Sequence, residues 1–337
     1  MPDIQHSIAN HHFRTRLFCL IALLPTITPA AAADSKGTLT FSLENDLLGA
    51  GSDAHYTHGT ELSYVSDTYM HVWYRAAVSW LPFVDEGDEL RQSWRLGQQI
   101  YTPSDISVSQ PQPNDRPYAG WLYLTLGMIA ENRNHKIRHI DKLDLIIGTV
   151  GPDSGAEATQ REVHKLTDSE LPQGWDNQLH NEVTFDVQYQ REWIVPLFRN
   201  YLDIVPRVGV DLGSAMRDAG AGFTLRLGSG IFSDYGPPLI RPSASGSNYF
   251  KPNQSLYWYL FAGAHGRYVE HNIFLDGNSD GESQSVEKEE WVGDIQAGFV
   301  TGWGNWRITL VNIVRSREFE GQPEPDEFGA ITLGYRL

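Results

Sequence analysis

Twelve short segments in which apolar residues recur at every second position constrain this chain more than any other feature. They are Leu39/Phe41/Leu43, Leu62/Tyr64, Trp94/Leu96, Leu122/Leu124/Leu126, Leu143/Leu145/Ile147, Val183/Phe185/Val187/Tyr189, Val208/Val210/Leu212, Phe223/Leu225/Leu227, Tyr257/Tyr259/Phe261, Val292 to Phe299, Ile308/Leu310 and Ile331/Leu333/Tyr335/Leu337. A period of two gives a strand one apolar and one polar face. After residue 33 no apolar run approaches the roughly 20 residues of a membrane-crossing helix. An even number of such strands, a high Gly and aromatic content and a chain that ends on an alternating strand predict an all-β fold. That fold is a twelve-stranded antiparallel transmembrane β-barrel of the outer membrane. On this reading these alternating apolar residues face lipid, Trp73, Trp80, Trp121, Trp193, Trp258 and Trp306 suit interfacial girdles, and Glu44, Glu61, Gln92 and Gln98 can fill the lumen.

The first 33 residues read as a secretory signal peptide. Arg14 and Arg16 precede the apolar run Leu17 to Leu24, and Ala31-Ala32-Ala33 closes the segment. The barrel domain is then 34–337. The chain's single cysteine, Cys19, lies in the leader, so the exported protein has no disulfide, thiolate metal site or cysteine nucleophile. Loss of Asp3, Arg14 and Arg16 turns 26 basic and 42 acidic side chains into 24 and 41, a net charge of −17. Such acidity argues against nucleic acid as a partner, because phosphate binding draws its affinity from Lys and Arg.

Counting strands from a periplasmic N-terminus makes 46–56, 102–117, 150–180, 213–221, 275–288 and 316–327 outer loops. The Pro-, Gly- and Ser-rich link 232–255 becomes an inner turn of unusual length. Glu44-Asn45-Asp46, Tyr56-Thr57-His58-Gly59, Asn114 to Gly120, and Gly151-Pro152-Asp153 with Gln160 to His164 then share one rim. The third outer loop carries a short helix. Ser154 and Glu157 have capping-box spacing, and 156–166 contains neither Gly nor Pro. Gln160 and His164 share a face of it, with Glu170 six residues on. A histidine there is either a solvated surface group or a general base, whose ordinary near-neutral titration suits water activation. Asn45, Asp46 and Thr57 are either turn formers or hard oxygen ligands of the kind calcium uses. The sequence contains no H-E-x-x-H, G-x-S-x-G or phosphate-loop motif.

The set Glu44-Asn45-Asp46, Tyr56-Thr57-x-Gly59, Gln99 to Ser104, Asp115-Arg116-x-Tyr118-Ala119-Gly120, Gly151 to Gly155, Gln160-x-x-x-His164 and Trp175-x-x-Gln178 resembles the outer-membrane lipid A 3-O-deacylases. The resemblance is specific from about residue 38 to 182 and a matter of pattern thereafter. It implies a Ca2+-dependent ester hydrolase, with its site between the barrel wall and the third-loop helix, acting on the 3-position acyloxyacyl chain of lipid A in lipopolysaccharide. His164 would activate water, with Gln160, Glu170 and Asn45 in the catalytic set. Thr57 would touch substrate, and Asp46, Thr57 and Glu170 would supply metal oxygens. Segment 102–114 departs from the pattern in having no Lys or Arg where lipid A phosphate contacts are expected. A phospholipase of the same membrane and a non-enzymatic porin or surface-binding barrel are the alternatives.

Overall fold

The computed structural model describes residues 37–49, 55–67, 75–76, 78–133, 137–232, 235–237 and 248–337. The proposed leader and Trp73 lie outside them. Twelve strands are present: β1 (Gly37–Asn45), β2 (His55–Ser66), β3 (Glu89–Thr102), β4 (Ala119–Asn132), β5 (Arg138–Val150), β6 (Glu182–Phe198), β7 (Leu202–Gly213), β8 (Met216–Ser229), β9 (Asn253–Asn272), β10 (Trp291–Gly304), β11 (Trp306–Arg315) and β12 (Asp326–Arg336). Each pairs antiparallel with its neighbour in sequence, and β1 pairs with β12 to close the barrel. Closure satisfies the backbone groups that an open edge would leave bare in hydrocarbon. No described helix is long and apolar enough to cross a membrane.

The alternation maps onto the wall. Leu96, Leu124, Leu145, Phe185, Leu212, Leu227, Leu310 and Ile295 are exposed on the outside, and polar side chains between them are buried in the lumen. Strand β9 reverses the expected assignment. Tyr257, Tyr259 and Phe261 point inward and are buried, while Leu256, Trp258 and Leu260 face out. Both registers of β9 are apolar, so periodicity could not choose between them. Trp258 and Trp306 are half-exposed as girdle residues should be, but Trp121 is not one of them. It is buried in the lumen, where its indole N–H donates to Thr184 Oγ1 at 2.9 Å. Gln92 and Gln98 share the outward register of Trp94 and Leu96, so neither plugs the lumen.

The six links at the motif-bearing rim match the expected outer loops, except that the fourth is only residues 214–215 instead of 213–221. The long lower link turns back into the barrel. Asn248 donates to Ser63 Oγ at 2.6 Å, the Arg91 guanidinium lies 3.8 Å from the centre of the Tyr249 ring, and Tyr235 donates to Glu131 at 2.5 Å. At the upper end, Glu318 of the 316–325 loop enters the mouth between Arg267, Arg315 and Arg116 at 3.2, 3.5 and 3.4 Å. Burial pushes the Glu318 carboxyl up, but these three guanidiniums outweigh it and hold the group below its usual range. The anchor is therefore complete above the ordinary carboxylate range and is lost only as pH falls through the depressed value.

With ion pairs at both ends, the folded protein should reside in the outer-membrane fraction and migrate faster unheated than boiled on gels. In planar bilayers it should show no steady conductance; open-pore currents would contradict the two plugs.

Candidate active site

One row of residues crosses the outer face at the upper rim. Gly329 of β12 lies opposite Asn45 of β1, Asn45 opposite His58 of β2, His58 opposite Ile100 of β3, and Ile100 opposite Gly120 of β4. Residues directly opposite in an antiparallel pair project to the same face. That face is the outside, because Asn45 continues the Leu39/Phe41/Leu43 register and Gly120 begins that of Leu122 and Leu124.

The two glycines at the ends of the row let other segments lie on the wall. A Cβ on Gly120 would sit 2.2 Å from Ala156 Cβ and from Ser154 Oγ. A Cβ on Gly329 would sit 2.7 Å from Leu48 Cβ. Helix α1 (Ala156–Thr167) therefore covers one end, and the turn Asp46–Leu48 covers the other. Asn45 and His58 form the floor of a trough between them.

Helix α1 begins without the expected capping box. Ser154 belongs to a preceding turn, Pro152–Ser154, and its hydroxyl donates to the Gly151 carbonyl, while left-handed Gly155 (φ 68°) holds the cap position with no side-chain cap. Two backbone reversals at Gly151 (φ 96°) and Gly155 aim the helix back at the wall, a conformation glycine adopts without a Cβ penalty. Ala156, Gln160 and His164, spaced by four, are its buried stripe. Glu157–Arg161 and Glu162–Lys165 pair on its exposed side.

On the buried stripe, hydrogen bonds fix the polar groups. His164 Nδ1 donates to the Glu170 carbonyl in a short contact, which leaves the neutral ring's lone pair on Nε2. Gln160 Oε1 accepts the Trp175 indole N–H at 2.8 Å, so the amide orientation is determined. Trp175 is bedded among Ile100, Ile106, Tyr118 and Ala156. The opposite side of that amide, Gln160 Nε2, has no hydrogen-bond partner among the described residues although Gln160 is 2% exposed. A buried donor left in this state calls for an acceptor. His58 lies near enough to His164 to feel the charge of that ring.

Residue Thr57 is the extra residue of a β-bulge, since β2 shifts register against β3 between Tyr56 and His58. Its carbonyl accepts Asn45 Nδ2 at 2.7 Å, and its hydroxyl pairs with Thr102 Oγ1 at 2.7 Å. Bulges of this kind re-aim side chains next to sites. Asp46 is buried at the start of the turn. The structure thus gathers Asn45, Asp46, Thr57, Gln160 and His164 at one stretch of rim. Glu170 meets His164 through its backbone, with its side chain exposed. Two participants stand in the quoted motifs, but sequence assigned them no role. His58 was accessible by counting back in twos from Leu62, but nothing local marked Trp175 as the partner of Gln160.

A second constellation lies inward of the row. Ser104 Oγ is 2.9 Å from His55 Nε2, and His55 Nδ1 is 2.5 Å from Asp326 Oδ1, the contacts of a serine-hydrolase triad. Two features oppose that role. The Ser104 N–H already donates to Asp115 Oδ2, and Asp115 Oδ1 stands 3.7 Å from His55 Nε2, placing negative charge where an oxyanion would form. These residues instead tie the second outer loop to the sixth.

The family profile described as outer membrane protein LpxR matches residues 17–337. The chain belongs to that family. This is the lipid A deacylase family that the rim motifs resemble, and the protein is placed in the Gram-negative outer membrane. The solved structure of LpxR from Salmonella typhimurium is similar at a TM-score of 0.71 and 21% identity, over 89% of this chain and 100% of that one, a likeness of fold. The translocator domain of the autotransporter NalP from Neisseria meningitidis aligns at a TM-score of 0.43 and 9% identity over 99% of this chain and 98% of that one. No curated protein sequence matches significantly.

Membership accounts for motif residues that do no chemistry. Tyr56 donates to Glu44 at 2.8 Å inside the barrel and lies over Gly59, where a Cβ would come 2.2 Å from its hydroxyl. Arg116 reaches inward to Glu318, and Gly120 admits the helix. Replacing Gly120 with valine should lift α1 from the wall. Trypsin cleavage after Arg161 and Lys165 should accelerate while the heat-modifiable gel shift persists; unchanged protection would show that the helix does not depend on this contact.

Proposed function

We propose that this chain is a lipid A 3-O-deacylase whose reacting atoms lie in the outer-wall trough. The observation that carries the reading is the pairing, on one buried helix stripe at lipid level, of His164 locked by the Glu170 carbonyl with Gln160 locked by Trp175. Nε2 is then the basic nitrogen of the ring, and the amide presents an N–H without an acceptor among the described residues. Those are the two groups that ester hydrolysis by water requires, a general base and an oxyanion donor.

In the proposed reaction His164 Nε2 removes a proton from water as the water oxygen bonds to the ester carbonyl carbon. The Gln160 N–H donates to the oxygen as it gains charge. Collapse breaks the bond to the sugar oxygen, which receives the proton held by His164. The products are the free acyloxyacyl acid and lipid A with a 3-hydroxyl. Trp175 acts by position alone, since without its N–H the Gln160 amide is free to turn over.

The donor chemistry fits a hard cation. Asp46 contributes a buried carboxylate, and Asn45 has its Nδ2 engaged with the Thr57 carbonyl, which turns Oδ1 away from that bond. Glu170 and Thr57 add neutral or anionic oxygens, and among the described residues no group of three or more His, Cys, Asp or Glu could hold a metal unaided. Such a set suits Ca2+, which accepts carbonyl, carboxylate and water oxygens together. When bound, calcium would supply Lewis-acid polarisation of the ester carbonyl.

The test is mass spectrometry of lipid A and glycerophospholipid after incubation with the purified barrel. Lipid A should lose its 3-position acyloxyacyl chain, and excess chelator should stop the loss. His164→Gln should reduce turnover by about 10²- to 10⁴-fold with the heat shift intact. Gln160→Glu, which keeps an acceptor for Trp175 but removes the N–H, should cost about 10²- to 10³-fold in kcat. Full turnover by folded His164→Gln would rule the mechanism out, and cleavage confined to glycerophospholipid would replace the substrate.

A further inference from the structure

Beyond the turn Asp46–Leu48 the outer wall is not flat. Leu48 lies on Gly329, and from there an apolar groove of about 690 Å³ runs away from the trough across β12, β11, β10 and β9. Strand register explains its shape. The row that holds Asn45 and Gly329 continues through Asn312 of β11 to Ala297 of β10 and Ala262 of β9, a line of small side chains broken only by Asn312. The Asn312 amide is turned to Glu327, at 2.9 Å. Two residues further from the rim, the next outward row is large and apolar: Ile331, Leu310, Phe299 and Leu260. Small residues above a bulky ledge make a channel that opens at the turn bearing Asp46.

We infer that this groove is a subsite for a second acyl chain of the same lipid whose 3-position ester sits in the trough. The inference rests on the proposed function. Three observations select this occupant. The groove faces hydrocarbon; it begins at Leu48, two residues from Asp46, on the turn that closes one end of the trough; and its lining carries a single polar side chain, already bonded to Glu327. A lipid with several chains on one headgroup can place one ester at His164 while another chain follows the wall past β12. A polar peptide or a free sugar would meet only the Asn312 amide there. The contribution is to substrate holding: chain contacts that are equal in ground and transition states lower KM without raising kcat.

Two experiments test it. Ala297→Trp fills the groove from an exposed position, so the barrel should fold. It should raise KM for lipid A about tenfold, the loss expected when roughly two methylenes leave apolar contact, with kcat nearly unchanged. Phe185→Trp, on exposed wall four strands further round, should alter neither constant. An unchanged KM in Ala297→Trp would overturn the inference, whereas wild-type protein inactive on lipid A would overturn the proposed function instead.

The second experiment does not depend on turnover. The exported chain contains no cysteine if cleaved after residue 33, so Ala297→Cys and Phe185→Cys can each carry one bimane label in a His164→Ala background. In vesicles containing a small fraction of lipid A brominated in its acyl chains, quenching at 297 should exceed that at 185 several-fold. Brominated glycerophospholipid should quench the two labels equally. Equal quenching by brominated lipid A would contradict the subsite, and selective quenching at 297 by the glycerophospholipid as well would overturn its assignment to the substrate.

Discussion

Closure of the barrel between its first and last strands is the constraint on which the rest depends. Asn45 stands at that seam, with Gly329 of β12 on one side and His58 of β2 on the other. The turn carrying Asp46 rests on the backbone of β12, where a Cβ on Gly49 would come within 2.8 Å of the Glu327 carbonyl. Residues nearly 300 positions apart in sequence therefore define one end of the trough. Nothing short of the closed sheet assembles it, so a misregistered seam would leave a membrane protein without a site.

The lumen serves that wall as a scaffold. Arg267 and Arg315 share Asp294, at 3.1 and 2.8 Å, and both meet Glu318. Breaking such a buried network by removing one partner typically costs about 3–5 kcal/mol, because the remaining charges stay desolvated. The arrangement stiffens the rim from inside, whereas the proposed site lies outside. This division explains why a strongly acidic chain keeps so many buried arginines: they neutralise lumen carboxylates and are not offered to the substrate. The cations on α1, Arg161 and Lys165, are the ones facing outward near the trough, and each is paired with a glutamate of the same helix.

Much of this architecture was legible in the sequence, and the failures have physical causes. Period-two patterning located all twelve strands because lipid on one side and a polar lumen on the other select opposite residue types. It misassigned Tyr257, Tyr259 and Phe261 because aromatic residues also pack the lumen, where they lie against arginines and other rings. Trp121 failed for the same reason. The helix boundaries followed from the absence of Gly and Pro, but its start is set by two positive-φ glycines, Gly151 and Gly155, and not by Ser154, since the helix must reverse direction to reach the wall. The motifs named His164, Gln160, Asn45 and Thr57, and the family resemblance implied a site between the wall and the third-loop helix; which part of the wall that helix covers follows only from the Gly120 and Gly329 contacts.

The location of the reacting ester on the outer wall is the central claim. A crystal structure of the His164→Ala barrel with intact lipid A bound tests it most directly. The ester carbonyl should lie against Gln160 Nε2 beneath α1, with the headgroup over Asn45 and His58. A lipid A headgroup bound instead in the lumen mouth, among Arg116, Glu318 and His55, would contradict the account.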